Sequence, residues 1–297
     1  MAVKQQIVVA AVSGGIDSVV LLDTLVQQGE HRVIVAHFDH GIRPDSAEDA
    51  RFVRQLAERY GLVFETAREE LGAAASEQLA RERRYRFLQA VAAAYDARVA
   101  TAHHQDDLIE TISINLIRGT GWRGLAPMRS AVWRPLLGMT KGEIVRYAIE
   151  QGLEWREDAT NNDLRYLRNQ VRAVAGVLPA ATVRRLVELY RRQTVLRDEI
   201  ESELAHIAAN VAQYSDGVWR LQRYYLVMLP STVAMELLGH LVGGRLTRPQ
   251  LARVLLYGKV AHPHKQLSVG AVVFAAEKQF ISISIRSHSI VAGHLRW

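Results

Sequence analysis

Two polar clusters carry residue types and spacings that can do chemistry. The first, Ser13-Gly14-Gly15-Ile16-Asp17-Ser18, directly follows the apolar run Ile7–Val12. Gly14 and Gly15 allow backbone angles that other residues disfavour and let a ligand approach the main chain. The hydroxyls of Ser13 and Ser18, and the free N–H groups of a helix beginning near Asp17, supply donors to an anion. Asp17 is the discordant member, because a carboxylate beside a polyphosphate is repelled unless a hard cation lies between them. Its presence therefore points to Mg²⁺, with Asp17 as the metal-side residue. The same six residues could also form a glycine turn from strand to helix, with Asp17 complementing the helix dipole.

The second cluster, His103-His104-Gln105-Asp106-Asp107-Leu108-Ile109-Glu110-Thr111, follows a later apolar run and opens another helical pattern. Asp107 and Glu110 stand three apart and share a helix face; Asp106 and Glu110 stand four apart and are also neighbours. Carboxylates grouped at a helix start suit Mg²⁺ or a substrate amine. Acids placed there for the dipole alone would leave the two histidines unexplained. Zinc would require further ligands at spacings that the chain does not offer.

The elements that must position these clusters alternate. Strand-like runs recur at Ile7–Val12, Val33–Phe38, Leu62–Thr66, Arg98–Ala102 and Val132–Leu137, separated by amphipathic stretches at Asp17–Gln28, Ser46–Tyr60, Ser76–Tyr95 and Asp106–Ile117. Strand alternating with helix implies an α/β fold, a doubly wound and mainly parallel sheet with helices on both faces. Ligands of such sheets bind beyond the carboxyl ends of the strands, where Ser13–Ser18, His37–Arg43 and His103–Glu110 all fall. A literal G-x-G-x-x-G at Gly119–Gly124 follows a helical pattern and runs into Pro127, so it does not read as a dinucleotide loop. Beyond Leu137 the chain turns mostly helical: Thr140–Gln151, then a polar segment Glu157–Leu164, Tyr166–Val177, and a helix from Pro179 as far as Gln213. Short strands follow near Val218–Leu221 and Phe280–Ile285, with helices at Val233–Val242 and Arg248–Leu256 between them. This divides the chain into a catalytic domain over 1–178, a helical connector over 179–213 and a smaller α+β domain over 214–297.

Composition bounds the partners. The 297 residues include no cysteine, which excludes disulfides, thiolate metal sites and iron–sulfur clusters held by this chain. No apolar stretch is long enough for a membrane span or a signal-peptide core, so a cytoplasmic location is expected. The net charge of +6 is unevenly placed: Tyr214–Trp297 carries ten Lys/Arg against three acids. Such a basic segment suits a polyanion such as RNA, although it would also serve solubility. Between Arg165 and Arg192 stand seven arginines, among them Arg165, Arg168, Arg172, Arg184 and Arg185, against the single acid Glu188. Their spacings set many of them on one side of a helix as a phosphate-binding stripe.

The spelling SGGxDS resembles the pyrophosphate loop of N-type ATP pyrophosphatases, a PP-loop superfamily with an adenine-nucleotide α-hydrolase-like fold. HHxDDxxET downstream of it is similar to the tRNA(Ile)-lysidine synthetase family. Further matches follow in order: His37–Arg43, the R-x-x-R-Y stretch Arg81–Tyr85, Arg118-Gly119-Thr120-Gly121 with Gly124-Leu125, Arg134–Leu137, Asn161–Asp163 and Tyr166–Arg172. The resemblance implies ATP with Mg²⁺ and a two-step ligation on tRNA(Ile) with a CAU anticodon. Adenylylation of the wobble cytidine releases pyrophosphate, and free L-lysine then displaces AMP to give lysidine. It assigns ATP and pyrophosphate binding to Ser13–Ser18 with Arg118 and Gly119, and catalysis to Asp17, Arg83, Asp107 and Glu110. Asp107 and Glu110 take the lysine. Arg83 sits near the reacting phosphate or the lysine carboxylate, and Arg165, Arg168, Arg172, Arg184 and Arg185 contact tRNA. Other readings on the same fold are a tRNA thiolase using an external sulfur donor, an amidating synthetase, and an inactive RNA-binding homologue. The sequence leaves oligomeric state open, with a homodimer among the arrangements it allows.

Overall fold

The computed structural model describes residues 5–41, 46–72, 76–119, 121–128, 132–156, 171 and 178–286. The chain divides into two compact units, Met1–Gln193 and Thr194–Trp297, and the division falls inside one helix, Ala180–Val211.

In the first unit, strands β1 (Gln6–Ala11), β2 (His31–Asp39), β3 (Val63–Arg68) and β4 (Arg98–Ala100) form one sheet in the order β3-β2-β1-β4. All its pairs are parallel, with Val8 opposite both Val33 and Arg98. The central strands read as continuous apolar runs because both of their faces are covered. Val8 and Ala10 turn to one face, packing with Leu21 and Leu25 of α1 (Ile16–Gln28), Val53 and Leu56 of α2 (Ser46–Arg59) and Ile144 of α5 (Lys141–Glu150). Val9, Ile34 and Ala36 turn to the other, against Leu88 and Val91 of α3 (Glu77–Ala94). Helix α4 (Gln105–Ile117) follows β4.

The strand order reverses between β1 and β4, because β2 and β3 build outward on one side of β1 and β4 on the other. The loops leaving β1 and β4 therefore part at their carboxyl ends and leave a crevice. Both sequence clusters stand there. The strand expected at Val132–Leu137 is reduced to a single parallel bridge from Trp133 to Ala100, followed by a 3-10 turn at Pro135–Gly138. Pro135, two residues on, has no N–H to give a ladder, so the pairing does not extend beyond that bridge.

The second unit contains most of α6 (Ala180–Val211) and a five-stranded antiparallel sheet in the order β5-β6-β9-β8-β7. Its strands are β5 (Ala212–Ser215), β6 (Val218–Gln222), β7 (Gln266–Val269), β8 (Val272–Ala276) and β9 (Phe280–Ile285). Helices α7 (Arg223–Met228), α8 (Ser231–Leu241) and α9 (Arg248–Val260) lie between β6 and β7 in the chain. Leu221, Phe274, Ile281 and Ile283 pack with Leu226, Leu237, Leu238 and Val254. β6 and β9 coincide with the two expected strands, whereas β5, β7 and β8 are additional. Asp216 and Gly217, both at positive φ, turn β5 into β6 as a two-residue hairpin. The expected helix Tyr166–Val177 lies outside the described residues except at Val171, which is helical and buried.

Candidate active site

The loop after β1 is held by its own side chains. Ser18 Oγ accepts the N–H groups of Ser13 at 3.1 Å and Gly14 at 3.2 Å and donates to Gly15 O at 2.8 Å. Ser18 is buried and shapes the loop, whereas Ser13 is exposed and donates its hydroxyl to Ser18 Oγ at 3.2 Å. Gly14 sits at φ +96°, a conformation that favours glycine, and a Cβ there would touch Phe52 of α2 at 3.4 Å. Gly15 caps α1. The first N–H groups of that helix have no carbonyl within the helix to bond and are available to an anion.

Asp17, in the first turn of α1, is the hub. Its carboxylate pairs with Lys141 Nζ at 2.5 Å and lies 3.9 Å from His104 Nε2. His104 Nε2 is in turn 3.4 Å from Asp107 Oδ2, and that oxygen also accepts the His104 N–H at 3.1 Å, closing the start of α4. Gln105 N donates to Met139 O at 2.8 Å, tying the start of α4 to the residues just before α5. Three helix starts, those of α1, α4 and α5, thus meet around one aspartate. Each carries a partial positive charge of roughly half a unit, so the crevice favours a polyanion.

Helix α4 turns its carboxylates apart. Asp106 is exposed, Asp107 half-buried, and Glu110 only 2 % exposed. His103 Nδ1 lies 2.8 Å from Thr101 Oγ1. Burial pushes the pKa of His103 down to about 4, against the pull of Asp107 and with help from Arg134, Arg81 and Arg84, so the ring is neutral at pH 7. Arg81 and Arg84 both lie over the Tyr85 ring, with 5.0 and 5.8 Å to its centre. Arg83 instead meets Glu69, just past β3, at 3.4 Å. The members of this helix whose charge reaches His103 are therefore Arg81 and Arg84, the neighbours of the expected Arg83.

Arg118 and Gly119 end α4. At about 1.5 Å per residue they lie roughly 20 Å along its axis from His104. Arg184 and Arg185 share a face of α6 with Glu188 and Arg192 and line an open depression of about 530 Å³. Arg165, Arg168 and Arg172 lie outside the described residues.

Lys141 is the site residue that sequence reasoning missed. Its one local signal is a lysine in the first turn of a helix, where the dipole disfavours a cation. Among the described residues no group of three His, Cys, Asp or Glu is placed to hold a metal. A single half-exposed carboxylate facing an anion cradle does suit Mg²⁺, which takes one or two carboxylates and fills its remaining positions with phosphate oxygens and water.

A family model described as a PP-loop domain matches residues 2–179. The chain is 44 % identical over 180 residues to a tRNA(Ile)-lysidine synthase from Geobacter sulfurreducens, covering 56 % of this chain and 38 % of that protein. It is 37 % identical over 240 residues to a tRNA(Ile)-lysidine synthase from Deinococcus deserti, covering 78 % of this chain and 44 % of that one. The chain thus spans about two fifths of the length of these relatives. Among solved structures, the U34-tRNA thiolase NcsA from Methanococcus maripaludis, with its [4Fe-4S] cluster, superposes with a TM-score of 0.54 at 17 % identity. The match covers 65 % of this chain and 72 % of that one, and it is a likeness of fold.

Proposed function

The chain belongs to the PP-loop family, and from that premise we propose that it uses ATP to join free L-lysine to the wobble cytidine of a tRNA(Ile) with a CAU anticodon. The observation that carries this reading is the meeting of three helix starts, Lys141 and Asp17 beside the α4 carboxylates, at the switch point of the sheet. Two relatives named tRNA(Ile)-lysidine synthase support it.

In the first step the oxygen on carbon 2 of the cytosine attacks the α-phosphorus of ATP; that bond forms as the bond to the β-phosphate oxygen breaks, and pyrophosphate leaves. Ser13 and the free N–H groups at the start of α1 bind and orient the leaving pyrophosphate, with Ser18 holding the loop in shape. Asp17 would hold a Mg²⁺ ion, which would supply neutralisation of the phosphate charge. In the second step the ε-amine of lysine attacks carbon 2, AMP departs with the oxygen, and the amine loses a proton. Asp107 and Glu110 orient the lysine amines, and Arg83 takes the lysine carboxylate or the reacting phosphate. Arg165, Arg168, Arg172, Arg184 and Arg185 bind tRNA phosphates, as does the basic segment 214–297. Arg118 and Gly119 join Ser13–Ser18 in binding ATP and its pyrophosphate. The working division is a catalytic domain over 1–178, a connector over 179–213 and a tRNA-binding domain over 214–297, in a cytoplasmic protein that can pair as a homodimer. Among the described residues no helix is long and apolar enough to cross a membrane.

The test is incorporation of radiolabelled lysine into two transcripts that differ only in the anticodon, CAU or GAU, with ATP present. Lysine should enter the CAU transcript alone, with one AMP released per lysine. No incorporation, or sulfur transfer when a sulfur donor replaces lysine, would overturn the reading.

A further inference from the structure

We propose that Lys141 is a direct ligand of the polyphosphate, held on Asp17 until the anion arrives, and that Asp23 and Tyr147 are the residues that position it. This rests on the reading of the β1–α1 loop as a phosphate site, and not on the identity of the tRNA or of the amine. Lys141 is the first residue of α5 and reaches Asp17, the second residue of α1. Its ammonium lies where three helix starts converge, a place that repels a cation, and is balanced by the single Asp17 carboxylate. A polyanion in the cradle would offer that ammonium several oxygens in place of one. Asp17 would then be released to face a metal ion, so one pair accounts for the resting site and for its switch on binding.

The second observation is how firmly α5 is registered on α1. Six residues beyond each member of the Asp17–Lys141 pair stand Asp23 and Tyr147, and the Tyr147 hydroxyl donates to Asp23 Oδ2 at 2.6 Å. Tyr60, just past α2, donates to Asp23 Oδ1, also at 2.6 Å. Asp23 is 2 % exposed. A buried carboxylate gripped by two phenols fixes the rotation and register of α5 against α1, and thereby the point from which the lysine projects. Burial and the bond to Asp23 push both tyrosine hydroxyls above their usual pKa, so they remain donors throughout the working range.

Inorganic pyrophosphate binding, measured by calorimetry on the full chain with and without Mg²⁺, tests the assignment independently of tRNA and lysine. Lys141→Met should weaken pyrophosphate binding at least tenfold in both conditions, and Lys141→Arg should recover most of it. Without metal, Asp17→Asn should tighten binding by releasing the ammonium, and adding Lys141→Met to that variant should reverse the gain. Tyr147→Phe should weaken pyrophosphate binding several-fold, and the effect should vanish once Lys141 is already Met. Equal pyrophosphate affinity for Asp17→Asn and the double variant would overturn the proposal, since Lys141 would then serve only to neutralise Asp17. No pyrophosphate binding by the unaltered chain would overturn both this and the phosphate reading of the loop. Failure to transfer lysine with normal pyrophosphate binding would touch the proposed function alone.

Discussion

The two units handle charge in opposite ways. In the parallel-sheet unit the polar groups of the site are drawn inward to one edge: Asp17, His104, Asp107 and Lys141 form a connected chain, with Glu110 buried and His103 half-buried on the same segment. In the antiparallel unit basic side chains are spread over the surface. Arg220 pairs with Glu277, and Arg223 donates to the carbonyls of Gly258 and Lys259, so these hold the unit together. Arg248, Arg253, Lys265, Lys278 and Arg286 remain exposed. A gathered site acts on reacting atoms, whereas a spread of exposed cations acts on a long polyanion through many weak, salt-sensitive contacts. Single substitutions should therefore have large effects in the first unit and small, additive effects in the second.

The largest effect should come from Asp17. Asp17→Ala should reduce tRNA-dependent pyrophosphate release at least a thousandfold, a loss of about 4 kcal/mol in transition-state stabilisation, while thermal unfolding stays cooperative. Retained release in that variant would break the comparison at its strongest point. Next is pH. The unfolded chain protonates His103 near 6.5 and the folded chain only near 4, so between those values the unfolded state binds the extra proton. Stability should be fully present above pH 6.5, fall by up to about 3 kcal/mol as pH drops to 4, and level off below. Denaturant titrations across that window check this, and His103→Gln should flatten the slope.

Tyr147→Phe, which removes one hydrogen bond to a buried carboxylate, should cost about 1.5–3 kcal/mol in urea unfolding. The smallest single effects should lie in the second unit. Replacing Arg248, Arg253 or Lys265 by alanine should each lower the slope of log tRNA affinity against log salt by roughly 0.7 to 0.9 and leave pyrophosphate binding unchanged. A single arginine there that abolished tRNA binding would show a focused contact instead of a spread one.

Much of the first unit was legible because its strands are buried on both faces and its polar clusters follow them directly. Helices α1 to α5 fall within about two residues of their expected limits. Val132–Leu137 misled because its apolar content reads as strand while Pro135 ends the pairing. In the second unit the Asp216-Gly217 pair is a hairpin signal between short runs, and β5 and β7 are too short and exposed to announce themselves by hydropathy. Within the site, Asp17 and Asp107 were found because each lies beside its own strand end. Lys141 was not, since its one local signal, a cation in the first turn of a helix, names no partner, and Asp17 is brought to it only by the packing of α5 on α1.

The central claim is that one crevice divides its labour, the β1 loop handling phosphate and the α4 carboxylates handling the amine. Glu110→Gln keeps shape and removes charge, and the direct test is to follow both half-reactions in that one variant. The account predicts pyrophosphate release within about twofold of the unaltered chain and a lysine requirement raised at least tenfold, the loss of one charge-assisted contact of about 1.5–3 kcal/mol. Collapse of pyrophosphate release with unchanged lysine dependence would contradict it and place Glu110 on the phosphate side.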